Sequence, residues 1–185
     1  MRALLASQLM TLDGMFEGPG GEFVPPPWNA QLEQYGVDML SRECDTILYG
    51  RTTWQHMKAY WPTADVEQQP VARYMNALPK VVVSRTLPAD PGWNTRVIGD
   101  RVVEGITALK REPGKKIVLY GSANLMATLV AHDLIDEYVF MINPLILGGG
   151  APLFRGGHPR QPLKHVSTQT CDNGVLLVRY LRDRG

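Results

Sequence analysis

Short runs of apolar, mostly β-branched residues alternate along this chain with longer segments whose apolar positions recur every three to four residues, and turn-forming residues punctuate nearly every junction. Residues 2–10 read as a first strand, closed by the turn Thr11-Leu12-Asp13-Gly14. Glycines and prolines between Glu17 and Pro27 stop regular structure, and a loop of that length in a compact domain is often functional. A helix opens at Trp28-Asn29, with Asn29 as its N-cap and Leu32, Tyr35, Met39 and Leu40 on one face. The next strand, Asp45 to Tyr49, runs straight through Gly50 into a helix that begins Arg51-Thr52-Thr53-Trp54.

Beyond Trp61-Pro62 the pattern predicts a helix from Val71 to Leu78 stopped by Pro79, a strand from Lys80 to Ser84 and another from Thr95 to Ile98. Asp100 is read as the cap of a helix with Val102, Ile106 and Leu109 along one side, ended by Pro113-Gly114. The clearest unit follows. Lys116 to Tyr120 is a strand, Gly121-Ser122-Ala123-Asn124 a small-residue turn, and Leu125 to Val130 an apolar helix, so the turn delivers backbone N–H groups at a helix N-terminus, where an anion can sit. Either Ser122 or Asn124 can cap that helix. Glu137 to Asn143 is a strand, Pro144 and Gly148-Gly149-Gly150 make a glycine loop, and Asp172-Asn173-Gly174 joins the runs Leu163–Cys171 and Val175–Leu181 into a hairpin. Strands alternating with helices predict an α/β fold with one mixed, mostly parallel sheet and an antiparallel edge at the C-terminal hairpin. One domain, residues 1–185, is expected.

Composition narrows the function more than the fold. The 19 Lys and Arg against 18 Asp and Glu leave a formal charge of +1, which supplies no field for nucleic acid or an anionic membrane. No run approaches the ~20 apolar residues of a membrane span, and Ser7-Gln8 interrupts the apolar start too early for a signal sequence, so a cytoplasmic location is expected. Cys44 and Cys171 form no CxxC pair and read as buried free thiols. His56, His132, His158 and His165 show no metal-ligand spacing.

Taken together, Ser7 to Gly14, Ile47 to Trp54, Val81 to Thr86, Ile117 to Ser122, and Asn143 to Gly150 with Leu153-Phe154 resemble, in order and over nearly the whole chain, the dihydrofolate reductase fold. The likeness is to its riboflavin-biosynthesis reductase branch, the RibD C-terminal domain family and its free-standing bacterial members. What the resemblance implies is a three-layer sandwich and an NADPH-dependent reductase acting on a pterin-like or ribosylaminopyrimidine small-molecule substrate, with no fused zinc deaminase domain. It assigns Gly50, Arg51, Thr52 and Thr53 to the cofactor's phosphates, Ser84, Arg85 and Thr86 to an adenosine 2′-phosphate, and Gly121, Ser122, Ala123 and Asn124 to the pyrophosphate. Asp13, Leu125, Gly148 and Gly149 join the cofactor set by position. Proton delivery in folate-reducing relatives uses a carboxylate on the first helix, for which Glu33 and Asp38 are the candidates here. The resemblance also implies a homodimer, with Leu145, Leu147, Val175 and Leu177 as apolar edges needing cover. A dinucleotide-binding module without turnover is the competing reading. A purely structural domain would leave two glycine-opened helix starts in one sheet unexplained.

Overall fold

The computed structural model describes all 185 residues. Its strands are, in chain order, β1 (Leu4–Thr11), β2 (Met15–Glu17), β3 (Cys44–Gly50), β4 (Lys80–Val83), β5 (Thr95–Ile98), β6 (Lys116–Tyr120), β7 (Glu137–Asn143), β8 (Ala151–Pro152), β9 (Leu163–Thr170) and β10 (Leu176–Arg182). The helices are α1 (Ala30–Asp38), α2 (Arg51–Tyr60), α3 (Val71–Ala77), α4 (Val102–Arg111) and α5 (Ala123–Ala131). Eight strands form one sheet in the order β5-β4-β3-β6-β1-β7-β10-β9, while β2 and β8 pair separately. Pairing is parallel from β5 through β7 and antiparallel between β7, β10 and β9, so the expected mixed sheet and terminal hairpin are both present.

Successive strand residues point to opposite faces, and in the central strands both sets are apolar, which is why these segments read as unbroken hydrophobic runs. Leu4, Ala6, Leu48, Ile117 and Leu119 meet Ile106 and Leu109 of α4 and Leu125, Met126 and Leu129 of α5. Leu5, Ile47, Tyr49, Val82 and Val118 meet Trp54 of α2 and Val71 and Met75 of α3. Leu32 of α1 closes the same side over Met141, Cys171, Val175 and Leu177. Three layers result. Cys44 and Cys171 are free and buried, as expected.

Local signals hold with a few shifts. Asn29 caps α1 by accepting the Leu32 N–H at 3.0 Å, and one π-helical turn, Met39–Glu43, extends that helix toward β3. Asp100 does not cap α4: the helix starts after Arg101, no side chain caps it, and the Val102 N–H finds the Asp100 main-chain carbonyl instead at 3.0 Å. At the hairpin, Gly174 adopts φ +82° and the Cys171 and Val175 main chains pair across a three-residue turn. Val175 and Leu177 are not open edges, because α1 packs against them through Leu32. Each residue of β9, by contrast, is exposed.

Beneath α1 the N-terminal ends of β6 and β7 meet in a four-membered ion cluster. Lys116 Nζ lies 2.8 Å from Glu43 Oε2 and 2.7 Å from Glu137 Oε2, and the Arg179 guanidinium hydrogen-bonds both carboxylates. Glu137 is 3% exposed, and the two cations offset the cost of burying its side chain. The Arg179 guanidinium, with Lys116 assisting, holds the Glu43 carboxyl at about 2, below its ordinary 4.5. A depressed carboxyl stabilises the fold fully above 4.5, and that contribution is lost as pH falls through about 2. Urea denaturation of the wild type is therefore expected to show stability declining across that acid range, with a shallower decline for Glu43→Gln. Identical slopes would mean that the cluster plays no part.

Candidate functional site

Because β5, β4, β3 and β6 are adjacent and parallel, the turns that follow them all emerge at one edge of the sheet. There they line a cleft of about 530 Å³. Gly50 ends β3, Ser84 follows β4, Gly99 and Asp100 follow β5, and Ser122 follows β6; Arg51 and Thr52 of α2, Val102 of α4, and Asn124, Leu125 and Thr128 of α5 complete most of the wall. In open α/β sheets this edge, beyond the strands' carboxyl ends, is where ligands bind.

The turn after β6 is held in an unusual backbone state. Gly121 has φ +59°, and Ser122 has φ 59° and ψ 80°, a left-handed conformation that costs a residue bearing a Cβ about 1–2 kcal/mol. Ser122 gains the cap of α5 in return, its hydroxyl oxygen accepting the Leu125 N–H at 3.4 Å. Of the two possible caps it is Ser122, not Asn124, that serves. Gly50 has an ordinary φ of −81°, so its small size matters for another reason: a Cβ there would lie 2.1 Å from Ser122 Oγ. A Cβ on Gly121 would lie 2.8 Å from Thr53 Cγ2. The starts of α2 and α5 thus approach as closely as two backbones with these side chains allow, and both send their N-termini, the positive ends of their dipoles, to the cleft. No side chain caps α2.

Electrostatically the cleft is unbalanced. Arg51 and Arg85 both line it, both are exposed, and neither makes an ion pair or a side-chain hydrogen bond; Asp100 is the one carboxylate among the lining residues. Ser84 is buried, and its hydroxyl oxygen accepts from the Thr86 and Leu87 N–H groups, both at 3.2 Å, which fixes the turn that carries Arg85. A second cavity of about 410 Å³ opens at the opposite edge, but its Arg96 is already paired with Glu112 at 3.0 Å.

Of the residues singled out from the sequence, Gly50, Arg51, Thr52, Ser84, Arg85, Thr86, Ser122, Asn124 and Leu125 share this cleft. Thr53, Gly121 and Ala123 adjoin lining residues in the chain without lining the cleft themselves. Asp13, Gly148 and Gly149 lie at the same sheet edge beyond β1 and β7, outside the cleft. Asp13 clamps the glycine loop there: its carboxylate accepts the Leu147 and Gly148 N–H groups at 3.1 and 2.9 Å and the Thr11 hydroxyl at 2.5 Å. Led by the Thr11 hydroxyl, these bonds lower the Asp13 carboxyl to about 2. Neither α1 carboxylate reaches the cleft. Glu33 accepts Trp28 Nε1–H at 2.8 Å and the Val71 N–H at the start of α3 at 2.7 Å, while Asp38 pairs with Arg42 at 3.2 Å. Val83, Gly99, Asp100, Val102 and Thr128 line the cleft without having been singled out as site residues. Gly99-Asp100 carried a readable signal, since it follows an apolar run and opens a helix as Gly121-Ser122 does.

Sheet order, layers and cleft position together define an α/β fold of the dihydrofolate reductase type. The chain belongs to the RibD C-terminal domain family, whose profile matches residues 2–177. It is 34% identical over 182 residues to the uncharacterized Bacillus subtilis protein YyaP, covering 97% of this chain and 94% of that one. Its fold matches a putative riboflavin biosynthesis protein from Shewanella sp. PV-4 with a TM-score of 0.76 at 22% identity, over 98% of this chain and 99% of the other. Enterococcus faecalis dihydrofolate reductase, solved in complex with NADP(H), matches with a TM-score of 0.62 at 15% identity, over 98% and 96% of the two chains.

The Gly50 contact generates a test of the local geometry. Gly50→Ala should displace Ser122, weaken the α5 cap and cost about 1–2 kcal/mol in chemical denaturation. Adding Ser122→Gly to it should recover part of that loss by removing the clash. A double variant no more stable than Gly50→Ala would mean that the close approach does not govern this edge.

Proposed function

We propose that this chain is an NADPH-dependent reductase that passes hydride to a pterin-like or ribosylaminopyrimidine substrate. The observation that carries the proposal is the cleft: two guanidiniums without protein partners and two helix N-termini converge where four parallel strands end. A single surface arginine would carry little weight, but this grouping of un-neutralised donors suits a multiply charged, extended anion. The residues present fit a dinucleotide: Gly50 and Gly121 leave the strand-to-helix turns without Cβ atoms, and Ser84, Thr86 and Arg85 offer two hydroxyls and a planar fork for a 2′-phosphate. NADPH, when bound, supplies the hydride, so the chain's contribution is to hold the dinucleotide and align a substrate against it. The fold likeness to a reductase solved with NADP(H) supports the same reading.

The second reading, binding without turnover, draws on Glu33. Both its oxygens are engaged by Trp28 and Val71, and Asp38, the other candidate on the first helix, is paired with Arg42. An NADPH-oxidation screen against dihydrofolate and the ribosylaminopyrimidine separates the two. Oxidation with either substrate establishes a reductase, whereas tight NADPH binding with no oxidation favours the binding module.

NADPH at 100 times its dissociation constant should stabilise the fold by about 2.7 kcal/mol, read as a rise in melting temperature. Arg85→Ala should weaken NADPH by roughly ten- to a hundred-fold and leave NADH nearly unchanged, since hydrogen bonds to charged groups contribute about 1.5–3 kcal/mol. Equal losses for the two cofactors would remove Arg85 from the 2′-phosphate.

The same proposal includes a homodimer. Support comes from β9, an unprotected strand edge exposed along its length, with Leu163, Val166 and the neighbouring Leu181 open to solvent. Light scattering at micromolar concentration should return twice the monomer mass; a monomer would contradict the dimer alone and leave the reductase reading standing.

A further inference from the structure

The segment after β8 runs back along α5 and sets one more cation, Arg155, against Asn124 at the wall of the cleft. Leu153 is 1% exposed and Phe154 packs edge-on against Phe140 at 5.9 Å, so the two residues anchor the strap immediately before Arg155. Gly156 and Gly157, both at positive φ, turn the chain away immediately after it. Farther along, Gln161 ties the strap down again, donating to the Val130 carbonyl at 2.6 Å and accepting from the Tyr138 hydroxyl at 3.2 Å. Between these anchors Arg155 Nη1 donates to Asn124 Oδ1 at 2.6 Å. Arg155 has no carboxylate partner, whereas Arg182 and Arg184 at the C-terminal end of the chain are both paired with aspartates.

That bond determines how Asn124 is presented. A guanidinium can only donate, so it fixes the Asn124 amide with its oxygen toward the strap. The two Nδ2–H donors are then left without a protein partner, on a residue that lines the cleft. A cation near the first turn of a helix also works against the helix dipole. An unpaired guanidinium in that position is better explained by an anion to be bound than by the stability of the helix.

We propose that Arg155 is a positioning residue for the phosphate bridge of the dinucleotide: it orients the Asn124 amide as a donor to the bridge and adds positive charge beside it. This rests on the reductase reading above. It differs from the role of Arg85, because the bridge is common to NADPH and NADH while the 2′-phosphate is not.

The test measures dissociation constants for both cofactors by titration, in the wild type, Arg155→Ala, Arg155→Lys, Asn124→Ala and the Arg155→Ala/Asn124→Ala double variant. Arg155→Ala should weaken NADPH and NADH by the same factor, roughly ten-fold, while the ligand-free melting temperature stays at the wild-type value. Arg155→Lys retains a donor for Asn124 and a charge, and should recover most of the affinity. The double variant should lose less than the product of the two single losses, because Arg155 acts through Asn124. Unchanged affinity in Arg155→Ala would overturn the assignment and leave the reductase reading intact. A loss confined to NADPH would overturn it as well, moving Arg155 to the 2′-phosphate, and multiplicative losses in the double variant would show that it does not act through Asn124. If the wild type binds neither cofactor, the reductase reading falls and this inference falls with it.

Discussion

A parallel sheet that is apolar on both faces constrains everything else in this molecule. Parallel neighbours cannot be joined by tight hairpins, so after each strand the chain has to cross back outside the sheet, and every crossing but that from β4 to β5 carries a helix that covers it. Every strand from β5 to β7 therefore points the same way, and the turns that follow β3, β4, β5 and β6 all leave from one edge. The cleft is a by-product of that topology. Its chemistry comes from which residues fill the turns, and those are small residues, hydroxyls and arginines.

Close approach sharpens the arrangement. Gly50 lets the start of α2 reach the turn after β6, and Ser122 accepts a left-handed backbone while capping α5. Positions held in sparsely populated conformations and crowded against a neighbouring turn tend to be retained for what they position. The two arginines of the cleft stand beside this crowded wall, and Asp100, the one carboxylate there, pairs with neither.

Much of the fold was legible in the sequence because its signals are local. A run such as Val81-Val82-Val83 has one reading, Asn29 sits one residue before a helical period, and Asn173-Gly174 between two apolar runs reads as a hairpin. The set of turns forming the cleft was legible for the same reason. Long-range partners were not. Nothing local says that Glu33 will be taken by the start of α3, that α1 will bury Val175 and Leu177, or that Arg155 will meet Asn124 across 31 positions. Asp100 failed for a subtler reason: an Asp before an apolar helix is a good cap by composition, yet the main chain there satisfied the Val102 N–H through a carbonyl.

The place of β1 in the sheet bears on how the protein comes to be folded. It precedes every other strand described here and is one of the most central, yet its neighbours are β6 and β7, so Leu4 waits for Ile117 and Leu5 for Glu137. Contacts of such sequence separation form slowly, and a growing chain holds an apolar strand with both edges unmatched until Lys116–Tyr120 has left the ribosome. Premature pairing with a strand of another nascent chain competes throughout that interval. Arg2, beside the strand's start, adds a charge that becomes buried only when Asp45 and Thr46 arrive to meet it. Until then it keeps that end of the segment hydrated, as charged gatekeepers do beside aggregation-prone strands.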